Sequence, residues 1–407
     1  MLSPNRPSVT MLRVTMPAVT PGWSHIIISH RMTVGAIKEQ LAVVLDVLMQ
    51  DGEGTIEELI QNLMDGAMGI PPTVVGTLSQ IMAYNLVGGK FWRGAFAFIA
   101  TAEAAGVDLT SSTLTPSEEA LRHRAVLLAW ALEALQAVFL VADDIMDNSD
   151  LRRGKPSWFK VPGVGLRAIN DGFLLESTCL ATVARIEEEI EMGGDLTRLI
   201  QKVIRYTEIG QMVDIESDLD GESSIFDSLE TSMKFRDVYE SIHQHKTAYY
   251  TVHLPIAAGL MLGTHYATNK SLVRGFESQL ASATLPIGRY FQIQDDFLDM
   301  FGSIEKLGKP GMDLAEGKCG WTLVEGVIKA HELGDSDGVK QIQANLGRPD
   351  ADSASVRAVY TRLGLPQLYT ETSCRLETVI AQAVSTQTPV ARSLCDKMMA
   401  ALVGRQK

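Results

Sequence analysis

Apolar residues recur at three- and four-residue intervals almost without a break from about residue 36 onward. Segments such as IKEQLAVVLDVLMQ, EEALRHRAVLLAWALEALQAVFLVADDIMD and FLLESTCLATVARIEEEIEM each lay an apolar stripe along one side of a helix. Alternating β-branched runs joined by Asn-Gly or Asp-Gly turns are nearly absent. Breaks fall where Gly and Pro cluster, at GIPPT, KVPGVG, EKLGKPGMD and LGRPD, and none is long enough to be an inter-domain linker. The pattern predicts an all-α fold, a single-domain helical bundle around a central cavity, spanning residues 36–407.

The longest apolar run, Ala125 to Ala142, carries Glu133 and Gln136 and ends on two aspartates, so it reads as a buried core helix and not a membrane span. Residues 1–35 differ from the rest. No acid precedes Glu39, while Arg6, Arg13 and Arg31 stand among many Ser and Thr. Such a leader suits either an organellar transit peptide or a disordered tail, which places the protein in the mitochondrion or the cytoplasm. The formal net charge of −13 argues against nucleic acid as a partner. Four widely spaced cysteines, with no CxxC pair, fit free thiols in a reducing compartment.

Against that acidic background, two carboxylate groups repeat one pattern. FLVADDIMD carries Asp143, Asp144 and Asp147, and QIQDDFLDMFG carries Asp295, Asp296 and Asp299, each group at the end of an apolar helix. Residues four apart lie on one helix face, so each motif aims carboxylates in one direction. A single DDxxD reads most simply as a solvated helix end. Two of them, facing each other, would repel unless they bound hard cations, and all-oxygen ligands favour Mg²⁺. Because Mg²⁺ commonly bridges carboxylates to substrate phosphates, a phosphorylated ligand is implied. Asp214 in EIGQMVDIES could add a ligand, though alone it would pass for a surface acid. Lys90 and Arg93 in GGKFWRG, Arg152 and Arg153 after the first motif, and Lys309 and Lys318 after the second supply cations for a diphosphate. On this reading the acids and arginines need not pair with each other, since both can face a magnesium diphosphate. No GxSxG elbow or Cys/His motif supports covalent catalysis.

The chain resembles the short-chain trans-isoprenyl diphosphate synthases, most closely the eukaryotic farnesyl diphosphate synthases. The resemblance rests on YNLVGGKFWRG, LQAVFLVADDIMDNSDLRRG, PGVGLRAIND, YTEIGQMVD, HKTAYYTVHLPIAAG, FQIQDDFLDMFG, LGKPGMDLAEGKCGW and the terminal GRQK. It implies an all-α bundle, usually a homodimer, acting on prenyl diphosphates. It further implies three Mg²⁺, with Mn²⁺ an alternative, held by Asp143, Asp147 and Asp295 with Asp144, Asp214, Asp296 and Asp299 in support. Arg152, Lys246, Lys309 and Lys318 would then hold the allylic diphosphate, and Lys90, Arg93, Gln136, Arg153 and Arg405 the isopentenyl diphosphate. Lys246, Thr247 and Gln292 would face the allylic cation.

Departures from the family pattern bear on specificity. Val138–Phe139 stands where an aromatic pair usually forms the floor of the chain-growth pocket, so products longer than C15 come within reach. Trp92 replaces a small polar residue, and Pro310 an aliphatic one. A terpene synthase of the same fold would need the aspartates but not the isopentenyl site, and a geranyl or geranylgeranyl synthase would differ in the floor. A non-catalytic regulatory subunit would be expected to lose the acidic motifs.

Overall fold

A computed structural model describes residues 34–217, 219–270, 275–302 and 311–403. Sixteen helices with α-geometry carry the described fold: α1 (Val34–Met49), α2 (Gly52–Met64), α3 (Pro72–Leu86), α4 (Trp92–Ala105), α5 (Pro116–Met146), α6 (Ala168–Glu189), α7 (Asp195–Glu216), α8 (Leu229–Ile242), α9 (Leu254–Thr268), α10 (Phe276–Phe301), α11 (Asp313–Glu316), α12 (Trp321–Leu333), α13 (Ser336–Gln343), α14 (Ser353–Arg362), α15 (Leu365–Ser385) and α16 (Pro389–Val403). Among the described residues the strands amount to one two-stranded hairpin, β1 (Leu151–Arg152) and β2 (Lys155–Pro156). The expected helical bundle is therefore what the chain forms.

The axis of the bundle is α5, whose 31 residues span about 46 Å at 1.5 Å per residue. Its start is closed by a capping box. The Thr115 hydroxyl accepts from the Glu118 amide, the Glu118 carboxylate accepts from the Thr115 amide at 2.7 Å, and Pro116 follows at the first helical position. It is the one described helix long and apolar enough to cross a membrane, but 67% of its most apolar window is buried inside the protein. It packs against α4 and α6, as the core-helix reading requires.

Between α8 and α9 the chain widens into a π-helix, His243–His253. Runs of i→i+5 geometry are rare and concentrate at functional sites. This one is wedged between α7 and α10. Glycines permit the approach on both sides: a Cβ at Gly210 would collide with the Lys246 backbone, and one at Gly288 with Ala248. All four cysteines are free, three of them buried.

Candidate active site

Both acid groups sit at C-terminal helix ends, where the helix dipole already concentrates negative charge. Neither α5 nor α10 has a basic residue in its last turn. Compensation must come from other elements, and for the first group it does. The π-helix delivers Lys246, whose Nζ donates to Asp143 at 2.9 Å and Asp214 at 2.5 Å. Lys318, after α11, donates to Asp147 at 2.8 Å and reaches Asp214 at 3.4 Å. Arg152, on β1, donates through Nη2 to Asp144 at 2.5 Å and to Asp143 at 3.4 Å.

This lattice corrects one expectation. The first arginine of the pair and the first two aspartates are partners, because the hairpin folds back over the helix end. Arg153 does escape that pairing and instead donates to the Asn85 carbonyl at 3.1 Å.

The lattice sets the acids apart from one another. Burial alone would raise the Asp143 carboxyl, but Lys246, Arg152 and Lys318 more than offset it and hold it below the usual carboxylate value. Asp144 is raised by burial despite Arg152. Asp147 is raised by burial and by the neighbouring Asp143 charge.

The second group is held differently. Asp296, buried, accepts the backbone N–H of Trp321 at 2.8 Å and the Gln292 amide at 2.7 Å. Asp299 accepts the backbone N–H groups of Met312 and Asp313, each at 3.1 Å. Asp295 is half-buried on the same helix.

Two chambers meet at this lattice. A polar chamber of about 180 Å³ is lined by Asp143, Asp147, Asp214, Asp296, Arg152 and Lys318, among others, and Gln292 borders it. An apolar chamber of about 670 Å³ runs along α5, α6 and α7, with Val138, Phe139, Met146, Phe173 and Met212 in its walls. Asp143, Lys246 and Thr247 line both, so charge and apolar space share one boundary.

Lys90 is exposed and Gln136 half-buried. Arg93 donates to the Thr251 hydroxyl at 2.6 Å and lies 4.4 Å from the centroid of the Tyr250 ring. The Tyr250 and Phe139 ring centroids lie 5.1 Å apart in an edge-on arrangement, so one aromatic contact joins Arg93 to the wall of the apolar chamber. Lys309 and Arg405 lie outside the described residues, as does Pro310.

Sequence reasoning missed Tyr250, Thr251 and Gln211, the last of which donates to Asp143 at 3.4 Å. Their signal was position: each lies within four residues of a residue already singled out.

As to metal, no three carboxylate, imidazole or thiolate groups converge among the described residues as a ready-made cage. The donor set still fits Mg²⁺, which keeps several waters and takes one or two carboxylates plus substrate phosphates. Asp143 and Asp147, one turn apart at the chamber wall, provide such a pair.

The sequence profile of the polyprenyl synthetase family matches residues 75–363. Farnesyl pyrophosphate synthase 1 of Lupinus albus is 34% identical over 347 residues, covering 85% of this chain and 94% of that protein. The mitochondrial farnesyl pyrophosphate synthase 1 of Arabidopsis thaliana is 33% identical over 81% of this chain and 80% of that protein. Among solved structures, T. brucei farnesyl diphosphate synthase bound to a bisphosphonate superimposes with a TM-score of 0.76 at 29% identity, covering 89% of this chain and all of that one. The chain belongs to the polyprenyl synthetase family.

Proposed function

We propose that the protein is a prenyltransferase that condenses isopentenyl diphosphate with dimethylallyl or geranyl diphosphate to form farnesyl diphosphate. The observation that carries this reading is the shared boundary of the two chambers, where Asp143, Lys246 and Thr247 face both. A diphosphate in the polar chamber projects its hydrocarbon tail into the apolar one, so the scissile C–O bond lies at the boundary.

The residues divide the work by charge. Lys246, Lys318 and Arg152 neutralise the departing diphosphate, and Asp143, Asp147 and Asp295 would hold divalent metal, three Mg²⁺ ions by the family pattern, with Asp144, Asp214, Asp296 and Asp299 in support. Bound metal supplies Lewis acidity at the leaving oxygens. Ionisation leaves an allylic cation beside Lys246, the Thr247 carbonyl and Gln292. Lys90, Arg93, Gln136 and Arg153 orient the isopentenyl double bond to attack it. The terminal carbon of that double bond forms the new C–C bond, the charge moves to its tertiary carbon, and loss of a neighbouring proton, to the released diphosphate, restores the alkene. The apolar chamber keeps water from capturing the cation as an alcohol.

Incubation with Mg²⁺ and geranyl diphosphate, with and without isopentenyl diphosphate, tests the reading. Farnesyl diphosphate formed only in the presence of both is expected. Hydrocarbon formed from geranyl diphosphate alone would make the protein a lyase, and no turnover would favour a regulatory subunit.

A homodimer is part of the same proposal. Leu166, Ile169 and Phe173 near and on α6, with Ile209 and Met212 on α7, expose large apolar side chains beside the apolar chamber, Phe173 to 65% and Met212 to 62%. Sedimentation of wild type and Phe173→Asp should give a dimer and a weakened dimer. The acid-free leader supports delivery to the mitochondrion, which a fluorescent fusion lacking residues 1–35 would test by losing that location.

A further inference from the structure

The hairpin that follows the first acid group carries three cations in four residues, of which the proposed chemistry uses two. Its register pairs Leu151 with Pro156 and Arg152 with Lys155. Both loop residues, Arg153 and Gly154, have positive φ, 53° and 73°. That is the two-residue type I′ turn that fits strand twist. Gly154 adopts it freely, whereas Arg153 is a side chain held where few residues settle, a common sign of a functional position.

The register sets Arg152 and Lys155 directly opposite each other, and like charges in that relation are destabilising. Arg152 is compensated by Asp144 and Asp143. Lys155 is exposed and has no carboxylate partner among the described residues. Its ammonium lies 5.7 Å from the centre of the Tyr84 ring. The Tyr84 hydroxyl donates to the Pro156 carbonyl at 2.8 Å, so the same tyrosine fixes the strand that bears the lysine.

What Lys155 faces is the glycine turn ahead of Lys90. A Cβ built on Gly88 would lie 4.0 Å from the Lys155 Nζ, and one on Gly89 would lie 2.7 Å from the Arg153 guanidinium. The two hairpin cations thus flank the Gly88–Gly89 backbone, immediately before Lys90 and four residues ahead of Arg93 in the chain. Tyr84, Asn85, Gly88, Arg153 and Lys155 line one small cleft there, which Asp144 and its partner Arg152 also line. Gly88 brings no side chain to it, and no acid on the hairpin itself answers Lys155.

We propose that Lys155 is a further ligand for the diphosphate of the homoallylic substrate, acting with Arg153 beside the Gly88–Gly89 turn that leads into Lys90 and Arg93. This inference rests on the transferase reading above. An ammonium at the solvent edge acts as a point charge toward phosphate and is sensitive to salt.

Steady-state kinetics and calorimetric titration of isopentenyl diphosphate test it together. Lys155→Gln should raise KM and Kd for isopentenyl diphosphate about tenfold, the loss of one charge-assisted contact. The value of kcat and the KM for geranyl diphosphate should stay as in wild type. Lys155→Arg should recover most of the loss, and the difference from wild type should shrink as salt rises. Lys234→Gln removes an equal charge from an exposed pair with Glu230 on α8 and should change nothing. An unchanged Kd in Lys155→Gln overturns the proposal, and so does a loss shared equally by both substrates, which would mark a merely structural hairpin. Because Kd is read without turnover, failure of the transferase reading shows separately, as product formed without isopentenyl diphosphate.

Discussion

The C-terminal ends of α5 and α10 carry the same acidic spacing and put it to different uses. At the end of α5, side-chain cations from three elements answer the carboxylates: Lys246, Lys318 and Arg152. At the end of α10, backbone N–H groups and an amide do so. Asp299 holds Met312 and Asp313, while Asp296 holds Trp321 and Gln292. Lys318 lies on the short stretch between those two anchor points and reaches across to Asp147. One motif is thus a lattice of carboxylates and side-chain cations, which the proposed chemistry needs to open to metal and diphosphate, whereas two acids of the other fasten the segment that delivers one of those cations.

The largest effect should follow from breaking the lattice. Asp143→Asn is expected to lower kcat by about 10³-fold, the upper range for removing one preorganised electrostatic group. The fold should survive, because Lys246 keeps Asp214 as a partner. Asp296→Ala should show the reverse emphasis. It strands the buried Trp321 N–H and costs about 1–3 kcal/mol of stability in denaturant unfolding. Activity falls with it to a smaller degree, through a displaced Lys318. If Asp296→Ala were as stable as wild type and as inactive as Asp143→Asn, the two ends would be doing the same job.

Much of this was legible in the chain because its signals are local. The 3.6-residue periodicity foretold the helices, and four-residue spacing put Asp143 and Asp147 on one face. What stayed hidden depends on distant contacts. The π-helix around Lys246 forms where Gly210 and Gly288 let α7 and α10 close in, and no periodicity records that squeeze. The pairing of Arg152 with Asp144 depends on a two-residue turn at Arg153–Gly154, a sequence without the usual Asn-Gly mark. The inward roles of Asp296 and Asp299 depend on residues 312–321 folding back, which spacing within α10 cannot reveal.

The two helix ends also differ in what precedes the acids. The last turns of α5 wall the apolar chamber from Val138 to Met146, whereas α10 contributes Gln292 and Asp296 to the polar chamber alone. Filling the α5 wall should therefore alter the product and spare the chemistry. Val138→Phe is expected to shift the product mixture toward shorter chains by about tenfold in ratio, equivalent to about 1.4 kcal/mol, with total turnover within a factor of a few. Chromatography of the dephosphorylated products measures it. An unchanged distribution would mean that chain growth is stopped elsewhere in the chamber.

The smallest effect, and the sharpest contrast, lies in pH. The Asp143 carboxyl is depressed in the fold, so its contribution to stability is present above its unfolded pKa of about 3.9 and is lost as pH falls through the lower folded value. Asp296 is raised in the fold by burial, so its contribution is present below about 3.9 and is lost as pH rises through the folded value toward neutrality. Relative to wild type, Asp143→Asn should be less stable at pH 7, and the deficit should vanish in acid. Asp296→Asn should gain on wild type as pH climbs from 4 to 8, because the amide stands in for a carboxyl that burial prefers uncharged. Urea midpoints at constant ionic strength would read both profiles. Parallel curves would mean that the two acid groups share one electrostatic environment, and the distinction between an exchangeable lattice and a fixed anchor would fall.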